Sequence, residues 1–167
     1  MMNREHSVKI GLIGLGLSTE GPIKKGRSSY LINYRYSTLG ILNAIGLYVV
    51  RENVANNFQD LSLNLVFNSK DNKDEFKIFG VGGISDELWF VKEDTADWVS
   101  YLYFLDEKSG SNMGLLGFSY RRLLNDKSYL KVVLGSVLNH YYMKQSVPDI
   151  TNTEVLDEIQ NYDYKTL

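Results

Sequence analysis

The chain has 167 residues, 44% hydrophobic and 23% charged, with 18 basic against 20 acidic side chains for a net charge of −2. That is the apolar content of one ordinary domain; it excludes collagen-like, low-complexity and disordered chains, and the balanced charge without a Lys/Arg stripe excludes the electrostatic footprint of a nucleic-acid binder. The absence of cysteine removes disulfide frameworks, thiolate metal sites and cysteine nucleophiles.

No run approaches the roughly 18 apolar residues of a transmembrane helix. The opening MMNREHSVK carries charges where a signal peptide needs its apolar region. Transmembrane β-strands escape both tests, because alternating apolar and polar residues keep their average hydropathy modest. Two prolines, 14 glycines and 12 tyrosines favour extended antiparallel strands with aromatic faces.

In chain order, residues 7–20 set Ile13, Leu15 and Leu17 against Gly14, Gly16, Ser18 and Glu20, the period of two of an amphipathic strand. The next segment, 21–28, nearly spells a phosphate-binding loop, GPIKKGRS, with Arg27 where the lysine should stand. A strand pattern follows it instead of the helix that such a loop must open, so it is expected to be a basic turn. Residues 28–38 alternate Tyr30, Ile32, Tyr34 and Tyr36 with Leu31, Asn33, Arg35 and Ser37. A connection at 39–56 spaces Leu39, Leu42 and Ile45 like one face of a short helix.

Residues 57–68 set Leu61, Leu63, Leu65 and Phe67 against Asp60, Ser62, Asn64 and Val66. The extended segment 75–87 has apolar residues on both parities, so its faces stay unassigned. After a second long connection, 88–107, strands are expected over 108–122 and 128–143. The resulting all-β antiparallel meander has six strands. Its links alternate in length: 21–27, 69–74 and 123–127 are short, the others long. A transmembrane barrel has this pattern of tight turns and long loops, whereas a soluble antiparallel barrel or sandwich gives no reason for it. The polar parity is rich in Gly, Ser and Asn, which suits a water-filled, crowded lumen better than a solvated Lys/Glu face.

The run LGLSTEGPIKKGRSSYLINYRYSTLGIL from Leu15, with the later FQDLSLNLVF and FKIFGVGGIS, resembles the barrel of TonB-dependent outer-membrane receptors of the Bacteroidetes type. The match is most specific at STEGP, SYLINYRYSTLG and QDLS, and extends from about Asn3 to about Ile84. The resemblance implies a receptor for energised ligand uptake whose complete form has a signal peptide, a plug and a barrel of about 22 strands. It implies localisation in the outer membrane, with membrane lipid, the remaining barrel and plug, and a TonB-type energy-coupling protein reached through the plug as partners. Six strands cannot close a barrel. Residues 1–143 are therefore expected to be a partial transmembrane β-barrel and 144–167 a polar acidic loop or truncated end. Such a fragment would not transport alone. The competing reading is a soluble antiparallel β-barrel or sandwich that binds a small ligand.

Candidate lumen-facing residues are Asn33, Arg35, Asp60 and Asn64; candidate lipid-facing residues are Leu15, Leu17, Ile32, Tyr34, Leu61, Leu63 and Leu65. Pairing Glu20 with Ser29 would place Gly16 opposite Asn33 and Gly14 opposite Arg35, with an Arg35–Asp60 ion pair on the inner face. Tyr30, Tyr36, Tyr120 and Trp89 are candidates for interfacial aromatic belts. No catalytic site, metal or cofactor is expected. His140 has no ligand-spaced companion, Ser18 and Ser29 lack a nucleophile elbow, and 151–167 lacks EF-hand spacing.

Overall fold

In the computed structural model, residues 3–49, 54–89, 106–148 and 155–166 are described. Eight strands form one sheet: β1 (Glu5–Gly11), β2 (Gly14–Lys24), β3 (Ser28–Ser37), β4 (Val54–Asn68), β5 (Asp74–Trp89), β6 (Asp106–Asn125), β7 (Ser128–Pro148) and β8 (Val155–Thr166). Each strand pairs antiparallel with its sequence neighbours, in the order β1 to β8, and the described sheet is open. One short helix, α1 (Leu39–Ala44), lies between β3 and β4, within the connection where the Leu39/Leu42/Ile45 spacing predicted it. No described helix is long and apolar enough to cross a membrane, which says nothing of strands.

The fold is the expected antiparallel meander, with eight strands in place of six. Residues 7–20 are not one strand but parts of two, folded at Leu12 and Ile13 with Gly11 opposite Gly14. The reversal flips the parity, so Val8 and Ile10 on β1 share a face with Leu17 and Leu15 on β2. A single-strand reading would put them on the polar side; the paired glycines around a two-residue turn are the signal it passes over. The second addition is β8, where a polar loop was expected at 144–167. Its pattern Tyr162, Asp163, Tyr164, Lys165 is itself alternating, and charged residues are common on edge strands. β7 also continues to Pro148, while 149–154 and Leu167 lie outside the described residues. The long connections prove shorter, since β5 runs to Trp89 and β6 starts at Asp106, with 90–105 outside the described residues.

Three built turns close one end of the sheet. Gly26 adopts φ 73° between β2 and β3, where a residue without Cβ carries no penalty. Between β4 and β5, Asn72 has φ 55°, and the Asp74 N–H donates to Ser69 Oγ at 3.0 Å. The Lys127 N–H donates to Asn125 Oδ1 at 2.9 Å in the β6–β7 turn; such Asx and left-handed Asn positions are what the turn residues of these segments favour. At the other end α1 sits over the start of β4, where Asn43 Nδ2 donates to the Val54 carbonyl at 2.7 Å.

Conventional core is almost missing. Among the described residues the buried apolar side chains are Leu39 and Val54, both at the α1 contact, and Pro22 in β2. Among the described residues no second layer covers the sheet, and large side chains such as Leu17 (52% exposed), Leu116 (61%) and Leu134 (64%) stand open.

Candidate functional site

Strand pairing arranges the side chains in lateral rows, and alternate rows belong to opposite faces. One face is polar over β1–β4. A row across it reads Lys9, Gly16, Arg35, Asp60, Gly83, Met113, Asn139. The next reads Ser7, Ser18, Asn33, Ser62, Val81, Leu115, Val137. Asn33, Arg35, Asp60 and Asn64 thus share this face.

Arg35 stands directly opposite Asp60. Its Nη2 lies 2.7 Å from Asp60 Oδ2 and its Nε donates to the same oxygen at 2.8 Å. The guanidinium also lies 5.1 Å from the centroid of the Phe58 ring. On the other side Arg35 faces Gly16, which leaves the long side chain room to lie along the wall. The register differs by two residues from a Glu20–Ser29 pairing: Glu20 faces Leu31, Ser18 faces Asn33 and Gly14 faces Ser37. β2 runs further than its alternation reveals, to Lys24, and a bulge between Pro22 and Lys24 absorbs one residue before the turn. A shift of two preserves every face.

Beside the ion pair, Ser18 Oγ donates to Asn33 Oδ1 at 2.5 Å and Asn33 Nδ2 donates to Ser62 Oγ at 3.2 Å. This ladder crosses β2, β3 and β4 with short, uncharged groups. Asn64 lies one row on, its Oδ1 buried without a hydrogen-bond partner. Toward the α1 end, the same face opens into a polar hollow of about 360 Å³ lined by Asn56, Phe58, Ser85, Ser109, Ser111 and Tyr141 among others. Sequence reasoning missed this hollow because its residues come from four strands whose mutual register only the pairing reveals.

The opposite face is apolar. Leu15, Leu17, Ile32, Tyr34, Leu61, Leu63 and Leu65 all lie on it. The register also assigns 75–87, with Phe76, Ile78, Gly80, Gly82 and Ile84 here, and Phe79, Val81, Gly83 and Ser85 on the polar side. One row, Tyr36, Gln59, Ile84, Asn112, His140, Lys165, forms a polar border. Four rows beyond it come Phe67, Phe76, Tyr120 and Val132, and then Asp74 and Arg122. Between these borders on β4–β7 the rows contain no charged residue.

Both borders are hydrogen-bonded. On one, Tyr34 Oη donates to Gln59 at 2.7 Å, His140 Nε2 lies 3.1 Å from Asp163, and Lys165 Nζ lies 3.6 Å from the same carboxylate. On the other, Tyr120 stacks on Phe76 at 4.9 Å between centroids and donates to Asp74 at 2.7 Å, while Arg122 lies 3.6 Å from Asp74. Tyr36 and Tyr30 flank the two borders on β3, with Tyr120 beside the second. Trp89 does not join them: it pairs with Val54 and Glu107 on the polar side, and its indole N–H donates to Glu87.

In the middle of the apolar face, Gly80, Gly82, Gly114 and Ser136 floor an open hollow of about 1040 Å³ walled by Leu61, Leu63, Leu116 and Leu138. The glycines were read as bends or close approaches; their clustering across β5 and β6 is invisible without the register. Among the described residues no three His, Asp or Glu side chains form a metal-binding group. No protein-family model, no curated protein and no solved structure matches this chain.

Proposed function

We propose that this sheet is one wall of a transmembrane β-barrel of the TonB-dependent receptor kind, in which it contributes to energised uptake of a ligand across the outer membrane. The observation that carries the reading is the bounded apolar band. Ten residues separate Asn112 from Arg122 on β6, about 33 Å of strand, or about 25 Å of height at a tilt near 40°, which is the thickness of the lipid-facing band of such barrels. Tyrosines at both borders, joined by Phe67 and Phe76 at the second, match the aromatic girdles of such barrels.

On this reading Leu15, Leu17, Ile32, Tyr34, Leu61, Leu63 and Leu65 meet lipid, and Asn33, Arg35, Asp60 and Asn64 line the lumen. The near-absence of buried apolar side chains among the described residues supports it, because a water-soluble domain must bury such residues to fold. So do the open outer edges of β1 and β8: in hydrocarbon each unpaired backbone group costs several kcal/mol, so the remaining strands of a receptor barrel would pair with them. Without those strands and a plug, the sheet does not transport alone. Its partners are membrane lipid, the rest of the barrel and plug, and the energy-coupling protein that the plug engages; nucleic acid is not among them.

A second reading, a soluble β-barrel or sandwich that binds a small ligand, is favoured by the apolar hollow of about 1040 Å³. The cysteine-free chain permits a direct test between the two. Single variants Leu63→Cys and Ser62→Cys are refolded in lipid vesicles and exposed to a water-soluble maleimide. The barrel reading expects Ser62→Cys to be labelled and Leu63→Cys to be protected, with Leu63→Cys quenching by brominated acyl chains once it carries a fluorophore. Equal labelling of both, or a folded chain in water without detergent, overturns it.

A further inference from the structure

We propose that the hairpin joining β1 and β2 does not emerge into water but ends in the hydrocarbon of the loop-side leaflet, with Leu12 and Ile13 packed among acyl chains. The inference rests on the barrel reading and goes beyond it. It begins with the turn-side border of the apolar band, which does not follow one row. On β5 and β6 the first polar residues of that face are Asp74 and Arg122, directly opposite each other. On β1 and β2 they are His6 and Thr19, also opposite each other, and Thr19 shares its row with Leu63, Gly80 and Leu116. The Thr19 and Tyr30 hydroxyls are hydrogen-bonded at 3.3 Å, which continues the border onto β3.

From Leu116, level with Thr19, to Arg122 is six residues, so the border shifts by about 20 Å along the strands between β2 and β6, across about 19 Å of sheet. On the barrel reading the strands are therefore inclined by about 45° to the membrane normal, within the range of transmembrane strands. The β1–β2 hairpin is too short for a band that slopes this way. Ten residues separate Asn112 and Arg122, the two borders on β6, whereas only six separate Thr19 from Ile13 at the tip. The missing four residues amount to about 9 Å of height at that inclination, and the tip lies that far inside the loop-side border.

The composition of the tip suits this depth. The three turns at the other end of the sheet carry Lys25, Lys70, Asp71, Lys73, Asp126 and Lys127. Gly11-Leu12-Ile13-Gly14 carries no charge, and its two central side chains are exposed. The uncharged character continues into α1, where Ile41 and Ile45 are exposed; no charged residue occurs between Arg35 and Arg51.

A turn in hydrocarbon must have its backbone groups satisfied from within the protein. Thr38 does this for both carbonyls of the turn: its hydroxyl donates to Leu12 at 2.8 Å and its N–H to Ile13 at 3.4 Å. Thr38 stands at the N-cap of α1, where a threonine hydroxyl ordinarily accepts from its own helix, yet it makes no such bond. Its hydroxyl serves the hairpin instead. Acyl chains suit the tip better than a protein partner does, because the tip is continuous with the band at Val8, Ile10, Leu15 and Leu17 and offers neither a charge nor a free turn carbonyl.

Fluorophores on single cysteines of the full chain, refolded in phosphatidylcholine vesicles with iodide available on both sides, test the proposal. The sites are Ile13→Cys at the tip, Leu63→Cys in the middle of the band and Lys25→Cys in a charged turn. The Ile13 probe is expected to match the Leu63 probe: quenched by phosphatidylcholine brominated on its acyl chains, and without most of the iodide quenching that the Lys25 probe shows. Thr38→Val, which keeps the N–H and removes the hydroxyl, should return iodide quenching to the Ile13 probe; unchanged shielding overturns the role given to Thr38. An Ile13 probe that iodide quenches as fully as the Lys25 probe, while brominated lipid quenches the Leu63 probe, overturns the immersed tip and leaves the barrel reading standing. A tip that neither quencher reaches overturns it in favour of a protein contact, a second copy of this chain included. If the Leu63 probe also escapes lipid quenching, the barrel reading falls as well. Leu12→Cys replaces Ile13→Cys if that variant does not refold.

Discussion

The two halves of the sheet solve the same problem differently. Over β1–β4 the faces differ in kind, with mostly Leu and Tyr on one side and Ser, Asn, Arg and Asp, interrupted by Leu31, Phe58 and Val66, on the other. Over β5–β7 the polar side is itself apolar: Phe79, Val81, Leu115, Val133 and Val137 interrupt it, with Val81 44%, Val133 52% and Val137 42% exposed. One half carries a polar face that suits contact with water, whereas the other has apolar residues on both sides. In the receptor reading a plug meets that inner surface. The comparison teaches that one sheet can carry two different environments along one face while its opposite apolar band stays continuous.

Arginine substitutions on both faces of both halves would break or sharpen this contrast, and they carry the largest expected effect. Leu63→Arg, in the middle of the apolar band, should lower unfolding stability in micelles by about 2–4 kcal/mol, whereas its neighbour Ser62→Arg should change it by less than about 0.5 kcal/mol. On β6, Leu116→Arg should match Leu63→Arg. Leu115→Arg, on the inner side, should fall between the two extremes, because it removes apolar contact with Val81 and Val137. If Leu115→Arg proves as harmless as Ser62→Arg in urea titrations, the two halves do not differ inside.

The next effect concerns packing within the second half. Gly117 faces Phe79 on the inner side, and the Phe79 ring occupies the space a Cβ at Gly117 would need. Gly117→Val should cost about 1–3 kcal/mol by overpacking. Adding Phe79→Leu should recover a large part of that loss, because the two residues share one space. Additive losses in the double-variant cycle would show that the ring and the glycine are not coupled.

How far the sequence exposed this arrangement also differs between the halves. In β2, β3 and β4 the period of two was broken only at positions such as Leu31 and Val66, so the faces of Leu15, Asn33, Arg35 and Asp60 were legible before any pairing was known. The direct opposition of Arg35 and Asp60 followed once their common face and height were assumed. In β5 it was not legible, because Phe76, Ile78, Phe79 and Val81 fill both parities; a strand that is apolar on both sides has no alternation to read. Trp89, expected as an aromatic-belt residue in a connection, pairs instead in β5 with Val54 and Glu107. The β1–β2 hairpin was missed because two short strands of opposite parity mimic one longer strand. The apolar and polar hollows were out of reach for a further reason: each depends on which residues of distant segments share a row, and register is a property of pairs of strands.

A smaller effect tests the hydrogen-bonded half. Arg35 and Asp60 are 62% and 35% exposed in their side chains, so the pair is worth only about 0.2–1 kcal/mol once water screens it. A double-variant cycle of Arg35→Gln and Asp60→Asn should give a coupling in that range that shrinks as salt rises. A coupling that is independent of salt would mean that the inner face of β1–β4 is drier than its composition indicates, and would remove the contrast with β5–β7.

The smallest effect lies outside both halves, in the turn that joins them. The Ser69 hydroxyl donates to Asp71, and the Lys73 N–H donates to the same carboxylate at 3.2 Å. These bonds, the Ser69 one first, hold the Asp71 carboxyl below its ordinary value of 3.8. A carboxyl with a lower value in the folded state stabilises that state at pH above 3.8, and the contribution disappears as pH falls through the folded value. Unfolding curves of the chain and of Asp71→Asn should therefore differ slightly at neutral pH and converge in acid. A gap that persists unchanged in acid would mean that Asp71 acts in the turn by shape alone, and that the β4–β5 connection does not respond to its charge.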